Sequence, residues 1–227
     1  MLLFRLPLMK KMIVEIYSDI VCPWCYVGKR RFEKAVAAAG QEDSIEVVFR
    51  PYQLDPSAPR AVPLREYLTQ RFGASADHMT QQVGEVAGAE GIQINWERAL
   101  VANTLRAHTL AAFVEREQGP ERQKQLIDML FAAHFTEGLD VADSEVLVRL
   151  AVEAGADADA ARELLANETA SEGVLQEIEA AREMGIKAVP TFIFDGLYMV
   201  EGAQSSTVFG QVIEQVRQKA KEAASAG

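Results

Sequence analysis

Cysteine is nearly absent from this chain of 227 residues: there are two, and both lie in one tetrapeptide, Cys22-Pro23-Trp24-Cys25. A structural disulfide between such close neighbours would close a tiny loop and restrict the unfolded chain little, so stapling the fold is a poor explanation for them. Histidine is also scarce, with three residues, and no second Cys or His cluster completes the four ligands of a structural zinc site. No metal is expected. Basic side chains are outnumbered, 23 against 33 acidic, for a formal net charge of −10 that opposes binding to nucleic acid or to anionic lipid. No apolar run approaches the roughly 20 residues of a membrane-spanning helix. What remains for the paired cysteines is redox chemistry in a soluble protein.

The first residues call for a separate reading. Leu2, Leu3, Phe4, Leu6 and Leu8 are apolar, but Arg5 interrupts them, no basic segment precedes them and no small-residue cleavage site follows. The sequence argues against a secretory signal and for a cytoplasmic protein. Met9 and Met12 just before the first strand pattern also suggest a translation start later than Met1.

From Met12 to Tyr17 the β-branched and apolar residues predict a strand buried on both faces. The spacing of Phe32, Ala35, Val36 and Ala39 predicts a helix over 24–39 that ends at Gly40. Ile45 to Phe49 reads as a second strand, completing a βαβ unit with parallel strands. Pro51, Pro56, Pro59 and Pro63 then lead the chain out of the sheet. Six helices are expected at 64–72, 75–88, 97–118, 121–135, 144–153 and 157–166, and they form a helical lobe inserted into the first fold. The α/β pattern resumes with a helix over 171–184 capped by Ser171 and a strand over 190–194. A hairpin at Asp195-Gly196, a strand over 197–200 and a closing helix over 205–223, with Val208, Val212, Ile213 and Val216 on one face, complete it.

The cysteine pair stands at the junction of the first strand and the first helix. A thiol at a helix N-terminus meets unpaired backbone N–H groups and the positive end of the helix dipole, both of which favour the thiolate. Cys22 is thus the expected nucleophile. Pro23 suits the first helical turn, and Trp24 can shield one side of the sulfur. Cys25, one turn on, is expected to be more buried and to resolve the mixed disulfide formed at Cys22. As ordinary core residues the two would be hard to explain by packing alone, given a proline-initiated helix between them. Asp19, three residues before Cys22, reads either as a proton-transfer group or as a turn residue. His108 reads either as a site residue or as a hydrogen-bonded structural histidine. Arg30 and Arg31 read as part of a solvated helix face, and His78 and His134 belong to no motif.

The run SDIVCPWCYVGKRRFEKA (18–35), with AVPTFIF (188–194), resembles the DsbA family of thioredoxin-fold oxidoreductases, and most closely its FrnE-like branch. The likeness extends through NTLRAHTL (103–110), FTEGLDVADSEVL (135–147) and VEGAQ (200–204). It implies an α/β thioredoxin-like fold, a central mixed β-sheet flanked by helices, with a large all-helical insertion. Residues 12–55 and 170–227 would form the two parts of the thioredoxin-like domain, and 56–169 the inserted helical domain. The resemblance also implies that Val189-Pro190 is a cis-proline peptide lying against the cysteine pair. Pro23, Trp24, Val189, Asn103 and His108 would then contact substrate.

The implied activity is thiol–disulfide exchange on polypeptides or small thiols, as reductase, isomerase or oxidase. It needs no cofactor beyond the Cys22–Cys25 couple, with glutathione as a candidate co-substrate. A homodimer is among the arrangements the sequence allows. Kappa-type glutathione transferases and 2-hydroxychromene-2-carboxylate isomerases share the fold but place a single thiol-activating residue, commonly serine, where Cys22 stands; the intact pair argues against that class. A redox-linked chaperone is the third reading. Unlike some FrnE-like proteins, this chain has no further cysteine pair near its C-terminus, so no relay between two disulfides can operate within it.

Strongly oxidising family members carry Pro-His between the cysteines, whereas here the dipeptide is Pro-Trp and offers no imidazole to the Cys22 sulfur. The reduction potential is therefore expected to be more negative than about −120 mV, the value of a strong oxidant of this kind. Equilibration against thiol redox buffers checks this, and a value at or above that figure would refute it.

Overall fold

A computed structural model describes residues 11–225. The reading of Met1 to Lys11 given above lies, apart from Lys11, outside the described residues. Strand β1 (Met12–Ser18) runs into α1 (Pro23–Ala38), which Gly40 ends in a left-handed conformation, and the chain returns through β2 (Ile45–Pro51). After the insertion, α8 (Glu172–Glu183) leads to β3 (Thr191–Phe194), β4 (Tyr198–Glu201) and α9 (Ser206–Ser225). Among the described residues the sheet order is β2-β1-β3-β4, with β1 parallel to β2 and antiparallel to β3, and β3 antiparallel to β4. The hairpin turns at Asp195 and Gly196, both with positive φ, and Asp195 Oδ1 accepts from the Ile13 N–H at 2.9 Å.

Between β2 and α8 lie α2 (Leu64–Phe72), α3 (Ser75–Ala89), α4 (Leu105–Gln118), α5 (Pro120–Ala132), α6 (Ser144–Glu153) and α7 (Ala158–Ala166). Asp143 and Asp157 cap α6 and α7 by accepting backbone N–H bonds. Among the described residues no helix is long and apolar enough to cross a membrane.

Several expectations need correction. The helix expected over 97–118 begins only at Leu105, because residues 62–64 and 99–101 exchange backbone hydrogen bonds that a helix would forbid. Asn103 Oδ1 then accepts from the Leu105 N–H and starts the helix. The helix expected to reach Phe135 loosens into a π-helical turn over Ala133–Glu137. Ser171 does not cap α8 with its side chain, since its hydroxyl pairs with Thr109 Oγ1 at 2.8 Å. Strand β1 is not covered on both faces: Ile13 is exposed. On α9 the buried residues are Phe209, Ile213 and Val216, whereas Val208 and Val212 are half-buried. Arg31 does not belong to a solvated face, because it donates to Glu90 on α3 at 2.7 Å and to the Ala203 carbonyl at 2.8 Å.

Helix α1 is packed on two sides. Toward the sheet, Phe32 meets Phe192, Phe194 and Phe209, with ring centroids 5.5–6.1 Å away. Toward the insertion, Tyr26 stacks on Phe131 of α5 at 4.8 Å. Beside that stack lies a lysine that no apolar pattern reveals. Lys29 is 1% exposed, and its Nζ contacts Glu33 and Asp128, each at 2.6 Å. Gln123 of α5 completes the seam by exchanging two hydrogen bonds with the Phe49 backbone on the edge strand β2.

Removing both carboxylates (Glu33→Ala with Asp128→Ala) leaves an ammonium buried without a partner, and is expected to cost about 3–5 kcal/mol in urea unfolding. Lys29→Met fills the same volume with apolar atoms and is expected to stay within about 1 kcal/mol of the parent chain. Equal losses from the two changes would contradict a buried, paired lysine.

Candidate active site

Cys22 is the residue that introduces α1, in an extended backbone conformation, and Pro23 follows at the first helical position. Both cysteines are unpaired thiols. Cys22 is 4% exposed and Cys25 1%, so the expected contrast in accessibility is small. Pro23 and Trp24 are half-buried beside them. Opposite lies the Val189–Pro190 peptide, which is cis, and the Cys22 thiol donates to the Val189 carbonyl at 3.8 Å. The Pro190 ring rests on Gly28, where a Cβ would come within 2.9 Å of Pro190 Cγ. Only a glycine lets α1 approach the proline loop this closely. Gly28 escaped notice in the sequence, although its place one turn after Cys25 puts it on the same helix face.

Burial, then hydrogen bonding with and charge on Cys22, push the Cys25 thiol well above its usual pKa, while the Asp19 backbone N–H and the Ser18 hydroxyl pull the other way. A protonated, enclosed Cys25 beside Cys22 suits a second thiol that acts after the first.

Behind the pair lies a layer of buried polar side chains. Asp19 Oδ2 accepts from the Leu54 N–H at 2.8 Å, and Oδ1 lies 3.4 Å from His108 Nε2. The Asp19 carboxylate is thus occupied, and its contact with Cys25 is through the backbone. His108 is buried and, with Ser18, lines a narrow cavity. Asn103 holds the loop after β2 to the start of α4, donating to the Pro56 carbonyl at 2.7 Å and accepting from Gln53 at 3.1 Å. His134, on the π-helical turn, is fully buried with neither ring nitrogen partnered among the described residues, its ring edge-on to Phe135 at 4.5 Å. Ser18 opens the 18–35 run without a role of its own there, and His134 carries no motif, so no sequence signal marks the burial of either.

Residues 13–214 match the family described as DSBA-like thioredoxin domain. The chain belongs to that family. The thioredoxin-like fold with its helical insertion follows from this membership and from the observed sheet. The chain is 30% identical over 211 residues to the uncharacterized protein YwbO of Bacillus subtilis, covering 91% of this chain and 98% of the relative. A crystal structure of a probable DsbA oxidoreductase from Streptomyces coelicolor is 37% identical and superposes with a TM-score of 0.82, covering 90% of this chain and 89% of the other. The cytosolic disulfide reductase DsbM from Pseudomonas aeruginosa, solved with GSH, shares the fold at 18% identity and a TM-score of 0.62, covering 90% and 99%.

Burial lowers the His134 pKa from 6.5 to about 4, so the folded chain keeps this imidazole neutral through most of the acid range. The unfolded chain takes up the proton near 6.5. His134 therefore contributes stability that is complete above pH 6.5 and is lost as the pH falls toward 4, by about 3 kcal/mol. His134→Phe cannot titrate and is expected to flatten this slope, as read from urea unfolding at pH 7.5 and 4.5. An unchanged slope would show that the histidine is not buried neutral.

Proposed function

We propose that this thiol–disulfide oxidoreductase acts on disulfides of polypeptides, in the reducing or isomerising direction, within the cytoplasm. The observation that carries the reading is the placement of Cys22 at the start of α1, against the cis Val189–Pro190 peptide, with an enclosed Cys25 one turn behind. The Cys22 thiolate attacks one sulfur of a substrate disulfide. A Cys22–substrate bond forms, the substrate S–S bond breaks, and the departing sulfur leaves as a thiolate. Cys25 then attacks Cys22, forming the Cys22–Cys25 disulfide and releasing the second substrate thiolate. The substrate gains two electrons and the couple loses them. Two external thiols return the couple to its reduced form, and glutathione is the proposed reductant.

Pro23 and Trp24, which follow Cys22, and Val189 and Pro190, whose loop meets its sulfur at the Val189 carbonyl, form the proposed contact surface. An extended polypeptide would align with the backbone at Val189, whose carbonyl lies beside the reacting sulfur. The low reactivity of an enclosed Cys25 keeps it from competing for substrate until the mixed disulfide is in place. A reducing compartment, in which the couple rests as dithiol, favours this direction over net disulfide formation.

Insulin reduction with glutathione as reductant tests the reading. The wild-type protein is expected to accelerate it, Cys22→Ser to fall to the uncatalysed rate, and Cys25→Ser to accumulate mixed disulfides with polypeptides. A folded, reduced protein that leaves insulin untouched, and whose Cys25→Ser variant traps only small thiols, would overturn the assignment to polypeptides.

A further inference from the structure

Pro190 carries no N–H, so a neighbour can hold it only at its carbonyl or its ring. The Val189 carbonyl, which the Cys22 thiol meets at 3.8 Å, is the group at which a polypeptide aligns in the function proposed above. The Pro190 carbonyl accepts from the Gly202 N–H at 2.8 Å. Gly202 lies just past the last ladder pair of β3 and β4, Thr191 with Glu201, and turns the chain there with a φ of +79°. The position of the peptide beside Cys22 therefore depends on what holds residues 202–204.

Helix α1 holds them. A Cβ at Gly28 would come within 2.9 Å of Pro190 Cγ and 3.4 Å of Ala203 Cα, so the proline ring and the turn rest on the same point of the helix. Three residues on, and thus on the same face, Arg31 Nη1 donates to the Ala203 carbonyl at 2.8 Å. Its Nε donates at 2.7 Å to Oε1 of Glu90, the residue that ends α3 in the insertion. The Arg31 and Glu90 side chains are 22% and 12% exposed, so this pair is largely withdrawn from water, unlike surface ion pairs of little worth. Glu90 Oε2 also accepts from Lys34, whose side chain is exposed. The rigid fork of a guanidinium meets a carboxylate and a carbonyl at once, which a point-like ammonium does not reproduce.

We propose that Arg31 is a positioning residue for polypeptide substrates: it clamps the 202–204 turn onto α1, so that Gly202 holds the Val189–Pro190 peptide in place beside Cys22. Glu90 fixes the guanidinium, which makes the insertion part of the support of the site. The effect of Arg31 on substrate passes through Ala203 and Gly202. The proposal rests on the reading that polypeptides align at Val189. A small disulfide needs the Cys22 sulfur but no aligned backbone, so its reaction does not depend on the clamp.

Initial rates of insulin reduction at varied insulin concentration, set beside the stopped-flow rate with 5,5′-dithiobis(2-nitrobenzoate), test the clamp. Arg31→Met keeps an unbranched side chain and removes every donor. Its KM for insulin is expected to rise about tenfold, with kcat and the rate on the small disulfide within about twofold of the wild type. Glu90→Ala is expected to raise KM in the same direction, and to add nothing to Arg31→Met, because Glu90 acts through the guanidinium. Lys34→Met removes only the exposed partner of Glu90 and is expected to leave the insulin KM unchanged. Arg31→Lys keeps the charge without the fork; its KM is expected to lie between wild type and Arg31→Met, and it carries the test if Arg31→Met does not fold. An unchanged insulin KM in the Arg31 variants, equal losses on insulin and on the small disulfide, or additive effects of Arg31→Met and Glu90→Ala would overturn the clamp. A wild-type enzyme that reacts with the small disulfide but leaves insulin untouched would instead refute polypeptides as substrates, and the clamp with them.

Discussion

The packing of α1 between two apolar surfaces governs the rest of this structure. Phe32 seats the helix on the sheet and on α9, while Tyr26 seats it on α5 of the insertion. Aromatic contacts on both sides remove the freedom to tilt, because movement toward one cluster opens a gap at the other, and protein interiors tolerate such gaps poorly. The helix start is thereby fixed relative to the 189–190 peptide, which Gly28 allows to approach α1 from the side. Arg31 adds a polar tether from the same helix to α3 and to the loop after β4.

That arrangement places two thiols in unequal surroundings although they differ little in exposure. Cys22 faces the carbonyl of a neighbouring loop, and Cys25 faces the interior. The difference lies in the surroundings: one sulfur meets the Val189 carbonyl, and the other lies beside Ser18 and Asp19, the latter in contact with His108. Desolvation keeps a buried thiol protonated, and a protonated thiol is a poor nucleophile. In the proposed exchange an enclosed second cysteine waits for the first, which orders the two steps.

The insertion does more than enlarge the chain. Its helices α4 and α5 supply His108, Gln123 and Asp128, which bond respectively to Asp19 in the loop between β1 and α1, to Phe49 of the sheet and to Lys29 of α1. Strand β2 would otherwise end the sheet with free backbone groups, and Gln123 meets Phe49 as a neighbouring strand would. The buried Lys29 pair crosses the same seam. Polar contacts of this kind require both partners in place, so they fix the register of the insertion against α1 more closely than apolar packing alone.

Much of this was legible in the chain itself. The βαβ unit, the prolines that leave the sheet, the Asp-Gly turn and the Cys-Pro-Trp-Cys junction follow from local periodicity and turn chemistry, which depend on neighbours in sequence. The late start of α4 was not legible, because residues 62–64, more than thirty positions away, claim the backbone of 99–101. Nor were Lys29, Arg31, Ser18 and His134. Each looks like an ordinary helix or strand residue until the fold closes over it. By itself the sequence determined where the two thiols stand and on what class of fold, since a helix N-terminus and a two-residue spacing are local properties. Only the tertiary structure decided which polar groups are sealed behind them, since burial is set by what packs from elsewhere in the chain.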